Sequence, residues 1–561
     1  MTISSLPPGL ILVFGALLLP VAGSLIRPLL VLALPLLTIW QVWHMPDGSS
    51  AALVIMGHDI IAVRVDALSR LFAIIFSLMA FAGGLFALNQ KRTLELVAAF
   101  TYAGSAVGVA FAGDLITLFV FWEIMALGST IVLLSADTPQ ASKAAMRYFV
   151  VHMFGGALML TGIFLFVFDT GGVAFSAMKP DTAATALILA GVLVNAAAPP
   201  FSSWLGDAYP EASWSGTVFL SAFTTKAAVY VLIRGFPGTE ILIFVGVFMI
   251  FYGITMALLE NDMRRILAYS IVNQVGFMVT GIGIGTEMAL NGAAAHAFAH
   301  IIYKALLLMS AGSVLYMTGK RKCTDLGGLF QSMPLTTLCG TIGALAISAF
   351  PWTSGFVSKS MINQAAANEH LALLWFCLMA ASAGVFLHAG IKFPWFVFFQ
   401  KDSGLRPKDP PWNMRLAMIL FSAFCIGIGV WPEYLYALLP YAVDYEPYTD
   451  AHVLNAMQLL LFAGLAFFIM LPMMKRTLTI SLDTDWFYRR LAPAIINRLA
   501  TVIGNADQAI RQRFMGALNG VVNYVWQHHG PEGSMARTWT TGNMVLLVTI
   551  FLCVYLVFSF I

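Results

Sequence analysis

Seven ionisable side chains of this sequence stand out inside long apolar runs, where a charge is expensive to keep. Glu123 lies in FVFWEIMALGST, Lys226 in LSAFTTKAAVYVLI, Lys359 in FPWTSGFVSKSMI and Lys392 in FLHAGIKFPWFVFF. His296, His300 and Lys304 share GAAAHAFAHIIYKALLLMSAG at spacing i, i+4, i+8. On a helix that spacing stacks three side chains along one face. A charge at mid-bilayer is costly, so each of these residues is read first as functional. A proton crossing ~30 Å of hydrocarbon needs titratable stations within reach of one another. Burial moves lysine and carboxyl groups toward the range where a neighbour's charge decides their protonation, and histidine already titrates there. The set therefore reads as a proton relay or a site for a hydrated cation. The structural alternatives are a buried ion pair for Glu123 and Lys226, and hydrogen-bonded packing for the histidines. Lys392, near the end of its run, reads as snorkelling to the interface. Asp114, Asp262, Arg264 and Arg265 fall at run ends and read as solvated or structural.

The elements that must position these groups follow from composition. Of 561 residues, 60% are hydrophobic and only 10% charged, against roughly a quarter charged in ordinary soluble domains. That excludes a soluble globular protein, a disordered chain and a nucleic-acid binder. The net charge of +3 does not point to an anionic partner. Cys323, Cys339, Cys377, Cys425 and Cys553 are scattered without a CxxC pair. No disulfide framework, metal site, cluster or other cofactor is therefore expected. The N-terminus has no basic segment before its apolar run, and a cleaved signal peptide is not expected. About sixteen runs are long enough to be candidates for crossing a bilayer, and they are apolar on all sides rather than alternating. Basic residues follow the odd-numbered runs, which places the N-terminus outside and the basic loops in the cytoplasm. The loop Asp207–Glu211 departs from that pattern. Residues 481–530 carry apolar positions at three- to four-residue spacing opposite Arg498, Arg511 and Arg513. That pattern is an amphipathic interfacial helix or two. Two runs carry breaks, at Pro199–Pro200 and at Pro351 with Gly355. Interrupted helices at corresponding places in two halves point to a transport site.

With these motifs in hand, the chain resembles the antiporter-like family shared by Mrp-type multisubunit cation/proton antiporters and respiratory complex I. The resemblance covers about residues 60–400. It rests on VRVDALSRLF, GDLITLFVFWE, WLGDAYPEAS, TVFLSAFTTKAAVY, NDMRRILAYSIVNQVGFM, HAFAHIIYKALLLMSAGSV and SGFVSK. DAYPEAS with SAFTTKAAVY is most similar to the D-type subunit of the Mrp antiporters. The fold implied is an all-α polytopic membrane protein with about 14–16 transmembrane helices, two inverted five-helix repeats, and broken seventh and twelfth helices. On that frame residues 1–92 are N-terminal transmembrane helices, 93–236 the first repeat and 237–400 the second. Residues 401–480 are further transmembrane helices, 481–540 the amphipathic segment and 541–561 a final transmembrane helix.

The resemblance also implies roles. Glu123 is the fifth-helix glutamate and Lys226 the eighth-helix lysine. His296, His300 and Lys304 form the central connection, and Lys359 is the terminal site on the twelfth helix. Asn195, Asp207 and Lys392 are possible accessory residues. One departure matters: the family usually carries a lysine four residues before the proline pair, and here Asn195 stands there, with Ser202 where a histidine is common. Glu123 then needs another partner, Lys226 or water. The function implied is proton translocation within a multisubunit Na+ or K+/proton antiporter of the bacterial cytoplasmic (inner) membrane. Its partners are other membrane subunits, the cations, protons and lipid. The alternatives are a proton-pumping subunit of a complex I-like or membrane-hydrogenase redox complex, an energy-coupling subunit of an inorganic-carbon uptake complex, and a non-transporting scaffold. Any oxidoreductase activity would belong to partner chains.

Overall fold

A computed structural model describes residues 7–48, 50–55, 57–472 and 483–561. The boundary expected at 480/481 lies outside the described residues. A short helix α1 (Gly9–Ala16) precedes α2 (Ile26–His44). An antiparallel hairpin, β1 (Ser50–Ile55) with β2 (His58–Arg64), follows and has no counterpart in the sequence expectations. Then come α3 (Ala67–Phe86), α4 (Thr93–Phe111), α5 (Leu115–Leu134) and α6 (Pro139–Thr170). The seventh span is interrupted as expected, into α7 (Ala183–Asn195) and α8 (Ser203–Ala208). The eighth is interrupted too, into α9 (Gly216–Leu220) and α10 (Thr224–Gly235). Next are α11 (Ile241–Leu259), α12 (Met263–Ile284) and α13 (Glu287–Thr318). The twelfth span divides into α14 (Pro334–Ile347) and α15 (Ser354–Asn368). After it, α16 (Ala372–Val385) runs into wider π-turns over Phe386–Lys392 and Trp395–Phe399. The first body closes with α17 (Trp412–Val430), a single turn α18 (Glu433–Tyr436) and α19 (Asp450–Ile469).

Among the described residues, thirteen helical stretches are long and apolar enough to cross a membrane. With α1 and the divided seventh and twelfth spans they account for the apolar runs of the sequence. Burial inside the protein sorts them. The windows over Gly216–Gly235 and Met263–Ile284 are wholly buried, and that over Glu287–Thr318 is 94% buried. These three therefore form the interior of the first body. Close approach there depends on small residues. A Cβ on Gly253 of α11 would lie 2.7 Å from the Asn273 nitrogen of α12.

Two five-span sets, α4–α10 and α11–α16, repeat one design. An odd number of crossings delivers the chain to the second set from the opposite side, which inverts it. In each set the second span starts on an aspartate N-cap. Asp114 accepts from the Thr117 N–H, and Asp262 from the N–H groups of Arg264 and Arg265; such caps satisfy otherwise orphaned donors. Each aspartate also bridges to backbone beyond the third span, Asp114 to Ala174 and Asp262 to Lys322. The third spans, α6 and α13, are both 32 residues long, and both end at a left-handed glycine, Gly171 and Gly319. The fourth spans are the divided ones. Two residues past α7 and α14, Ala197 and Ala349 take φ of 60° and 56°, with a proline two residues further on.

The second compact body is Trp486–Ile561. It opens with a π-turn over Phe487–Leu491 that runs directly into α20 (Ala492–His529). One 38-residue helix therefore covers most of the expected amphipathic segment. The final helix α21 (Thr541–Ser559) is long and apolar enough to span a membrane.

Candidate functional site: a buried polar chain

Asp114 starts α5 so that Glu123 falls in the helix interior. Its carboxylate lies against α6 at Gly156, where an added Cβ would sit 2.1 Å from Oε1. Oε1 is buried and has no hydrogen-bond partner. Asn195 ends α7, fully buried, and neither its amide oxygen nor its nitrogen has a partner. Lys226 does not pair with Glu123. Its ammonium donates to the Ser221 carbonyl at 2.7 Å and to Thr225 Oγ1 at 3.1 Å. Ser221 lies in the break between α9 and α10, which leaves carbonyls out of the helix ladder. That break has a local cause, since hydroxyl groups compete with the ladder. The Thr224 N–H donates to the Tyr102 hydroxyl at 2.9 Å, and Ser221 Oγ donates to the Val218 carbonyl at 2.8 Å. Carbonyl dipoles thus replace water around a buried ammonium.

A hydroxyl cluster gathers around Thr224, two residues before Lys226 in the chain. Tyr102 OH and Thr224 Oγ1 are 2.6 Å apart, Tyr148 OH is 3.3 Å from Thr224 Oγ1, and Tyr148 donates to Ser129 Oγ at 2.9 Å. Beyond the cluster, α13 carries its three stacked groups, all fully buried. His300 has no hydrogen-bond partner on either ring nitrogen, and its ring centroid is 6.3 Å from that of His296. Lys304 donates to Ser270 Oγ of α12 at 2.8 Å. His296 joins an extended network. Its Nε2 lies 3.0 Å from Gln274 Oε1, which also accepts from the Tyr303 hydroxyl at 3.1 Å. Gln274 donates to Asn273 at 2.6 Å, and Asn273 to His388 Nε2 at 3.0 Å. On the other side His296 Nδ1 lies 2.9 Å from Ser358 Oγ, next to Lys359.

Lys359 is held by the break in the twelfth span. Its ammonium donates to the Ile347 carbonyl at the end of α14, at 3.1 Å, and lies 4.8 Å from the centroid of the Phe277 ring. It also lines a cavity of about 80 Å³ with Ser348, Ser360, Asn363, Gln364 and His452. That is room for several water molecules, in a cavity whose wall is mostly apolar and carries these polar groups.

The structure thus brings Lys226, His296, His300, Lys304 and Lys359 onto adjoining buried elements. Asp207 and Lys392 sit elsewhere. Asp207 of α8 is 3% exposed and takes a two-point bond from Arg147 of α6, at 2.7 and 2.8 Å. Glu211 likewise pairs with Arg321 at 3.0 Å, which also holds Asp262 at 2.9 Å. The acids of the discordant 207–211 loop are therefore neutralised by arginines. Lys392 does not snorkel. It is 3% exposed and donates to the carbonyls of Ala257, Leu258 and Glu260, satisfying the end of α11. Arg264, read as solvated or structural, is structural: it is 2% exposed and donates to the Ala212 and Ser213 carbonyls and to Thr217.

Sequence reasoning missed His152, His388 and the hydroxyl cluster. Both histidines lie in apolar runs, YFVVHMFGG and VFLHAGI, and the rule that singled out Glu123 applies to them equally. The hydroxyls carry no such signal, because serine, threonine and tyrosine are common in membrane helices.

Residues 112–386 match the sequence profile of the family described as NADH:quinone oxidoreductase/Mrp antiporter, TM. The chain is 30% identical to the D-type subunit of the Na(+)/H(+) antiporter of Alkalihalophilus pseudofirmus over 349 residues, 58% of this chain and 69% of that protein. Its fold is similar to a chain in the Mrp complex of Dietzia sp. DQ12-45-1b, with a TM-score of 0.69 at 21% identity over 83% of this chain and 99% of the other. It is also similar to a chain in an archaeal membrane-bound sulfane sulfur reductase, with a TM-score of 0.72 at 21% identity over 98% of this chain and 99% of the other. With the profile spanning the divided seventh, eighth and twelfth spans, and the antiporter protein matched over more than two thirds of its length, the chain is a multi-pass membrane protein that belongs to the NADH:quinone oxidoreductase/Mrp antiporter family.

Proposed function

We propose that this chain is the proton-translocating membrane subunit of a multisubunit monovalent cation (Na+ or K+)/proton antiporter, working in the bacterial cytoplasmic membrane beside other membrane subunits. The observation that carries the reading is the buried polar chain. Lys226, His300, His296, Lys304 and Lys359 occupy the buried centre of the fold, from the interrupted eighth span of the first set to the interrupted twelfth span of the second. A scaffold would gain nothing from such groups, since a lysine costs about 2.5–3.5 kcal/mol at a bilayer centre. In the proposed path Glu123 admits the proton and Lys226 passes it toward α13. His300, Lys304 and His296 carry it across, and Lys359 delivers it to the cavity it lines.

The test uses the purified complex in proteoliposomes with a trapped pH-sensitive dye. A jump in Na+ or K+ should move protons in the wild type. Glu123→Gln and Lys226→Ala should abolish that movement while the complex still assembles. Normal movement in both variants would sink the relay. A redox-coupled role uses the same path, and likeness to a respiratory-complex chain over 98% of this chain favours keeping it as the second reading. It is distinguished by proton movement that needs an electron donor and ignores the cation jump.

A further inference from the structure

One buried group near Glu123 is unaccounted for by the path just described. His152 is 1% exposed, on α6. Its Nδ1 lies 2.9 Å from the Tyr148 carbonyl. A carbonyl can only accept, so Nδ1 carries the hydrogen, and Nε2 of the neutral ring presents a bare lone pair. That Nε2 is buried and has no partner. Glu123 Oε1 is likewise buried and unpartnered. Buried polar groups are almost always paired, so two bare ones on facing elements call for an explanation.

Placement supplies it. Glu123 Oε1 touches α6 at Gly156. His152 is four residues earlier, one turn and about 5.4 Å along the same face. Tyr148, a further turn along that face, stacks on His152 with ring centroids 3.9 Å apart and belongs to the hydroxyl cluster around Thr224. Trp204 of α8 closes the other side, with its ring centroid 4.6 Å from that of His152. Its indole N–H donates to the Val194 carbonyl at 3.0 Å, so Asn195 is next along the chain from this contact.

We propose that His152 is the proton partner of Glu123. Resting on the proton-translocation reading, it names the group that takes over where a basic residue is absent at position 195. The two atoms are not hydrogen-bonded to each other, so the step runs through one bridging water. The Glu123 carboxylic O–H bond breaks as the water takes that proton and gives up one of its own, and an N–H bond forms at His152 Nε2, giving a carboxylate, an unchanged water and an imidazolium. The positive charge then lies against Tyr148, whose hydroxyl belongs to the cluster around Thr224.

The experiment compares variants of the whole complex in proteoliposomes, under a Na+ or K+ jump with dye readout. His152→Gln should slow proton movement at least about tenfold, the scale expected for loss of a positioned proton acceptor. His152→Asn should do the same, and it serves where the glutamine variant assembles poorly. Adding Asn195→Lys to either should restore movement to within about threefold of wild type, because it returns a cation to the same pocket; lost packing would not be repaired this way. Wild-type rates in His152→Gln or His152→Asn, or no rescue by Asn195→Lys, would overturn the proposal. Glu123→Gln and Lys226→Ala run in parallel. If they also transport normally, it is the relay as a whole that fails. If they are dead while the His152 variants are normal, only the partner assignment fails.

Discussion

Glu123 depends on a glycine as much as on its own carboxyl. The side chain can lie against α6 only because position 156 has no Cβ. Gly156→Ala should therefore displace the carboxylate without removing it. Misplacing a reacting group by an ångström can cost about a hundredfold, so proton movement in proteoliposomes should fall by about 10- to 100-fold. Wild-type movement in Gly156→Ala would show that the observed carboxylate position is not the working one. The same scale explains what sequence reading recovered. Glu123, Lys226 and Lys359 were legible because an isolated charge in an apolar run is anomalous in one dimension. The partners of Lys226, Lys359 and Lys304 were not, because Ser221, Ile347 and Ser270 act through a carbonyl or a hydroxyl that any residue or many residues could offer.

At the scale of elements, the divided helices set the positions of the lysines. Lys226 and Lys359 each bond to a carbonyl freed where a span is interrupted, Ser221 and Ile347. Pro351 signalled one of these breaks. The break at Ser221 has no proline and arises from hydroxyl competition, which is why only the structure revealed it. The seventh and twelfth spans turn on Ala197 and Ala349, two non-glycine residues held at positive φ. Such a conformation costs of order 1–3 kcal/mol and persists only where the surroundings impose it. Ala197→Gly should therefore leave the thermal midpoint of the purified protein unchanged or slightly raised. Ala197→Val should lower it, by about 1–3 kcal/mol of stability, since a β-branched residue fits that region poorly. Equal midpoints for the glycine and valine variants would mean that the turn is not under strain.

For the whole molecule, long-range ion pairs join the spans at their ends. Asp66, the N-cap of α3, accepts from the Ser69 N–H and pairs with Arg234 at the end of α10, 2.8 Å away. Burial alone would raise the Asp66 pKa. The Arg234 hydrogen bond and charge, the Ser69 N–H and Arg64 outweigh it and hold the carboxyl below its ordinary range. A depressed carboxyl pKa adds stability that is fully present above the unfolded value, about 3.9, and is lost as pH falls through the folded one. Asp66→Asn should therefore melt at a lower temperature than wild type at pH 7, and the gap should narrow as pH drops below about 4. A gap that stays constant with pH would remove the carboxylate from the explanation. The Asp207–Arg147 and Glu211–Arg321 pairs have the same joining character, and they account for acids on a side that charge counting assigns to basic residues.

Membrane insertion, the positions of the spans, two of the three helix breaks and the titratable row were determined by the sequence alone. Each rests on hydropathy or on proline and charge, and those act residue by residue along the chain. The tertiary structure decided the partners. It separated Lys226 from Glu123, turned Lys392 from a snorkelling residue into a cap for α11, and set His152 one turn from the Glu123 contact. Those outcomes depend on which helix faces meet. That is fixed by small residues and freed carbonyls on segments far apart in the chain, so no local pattern carries it.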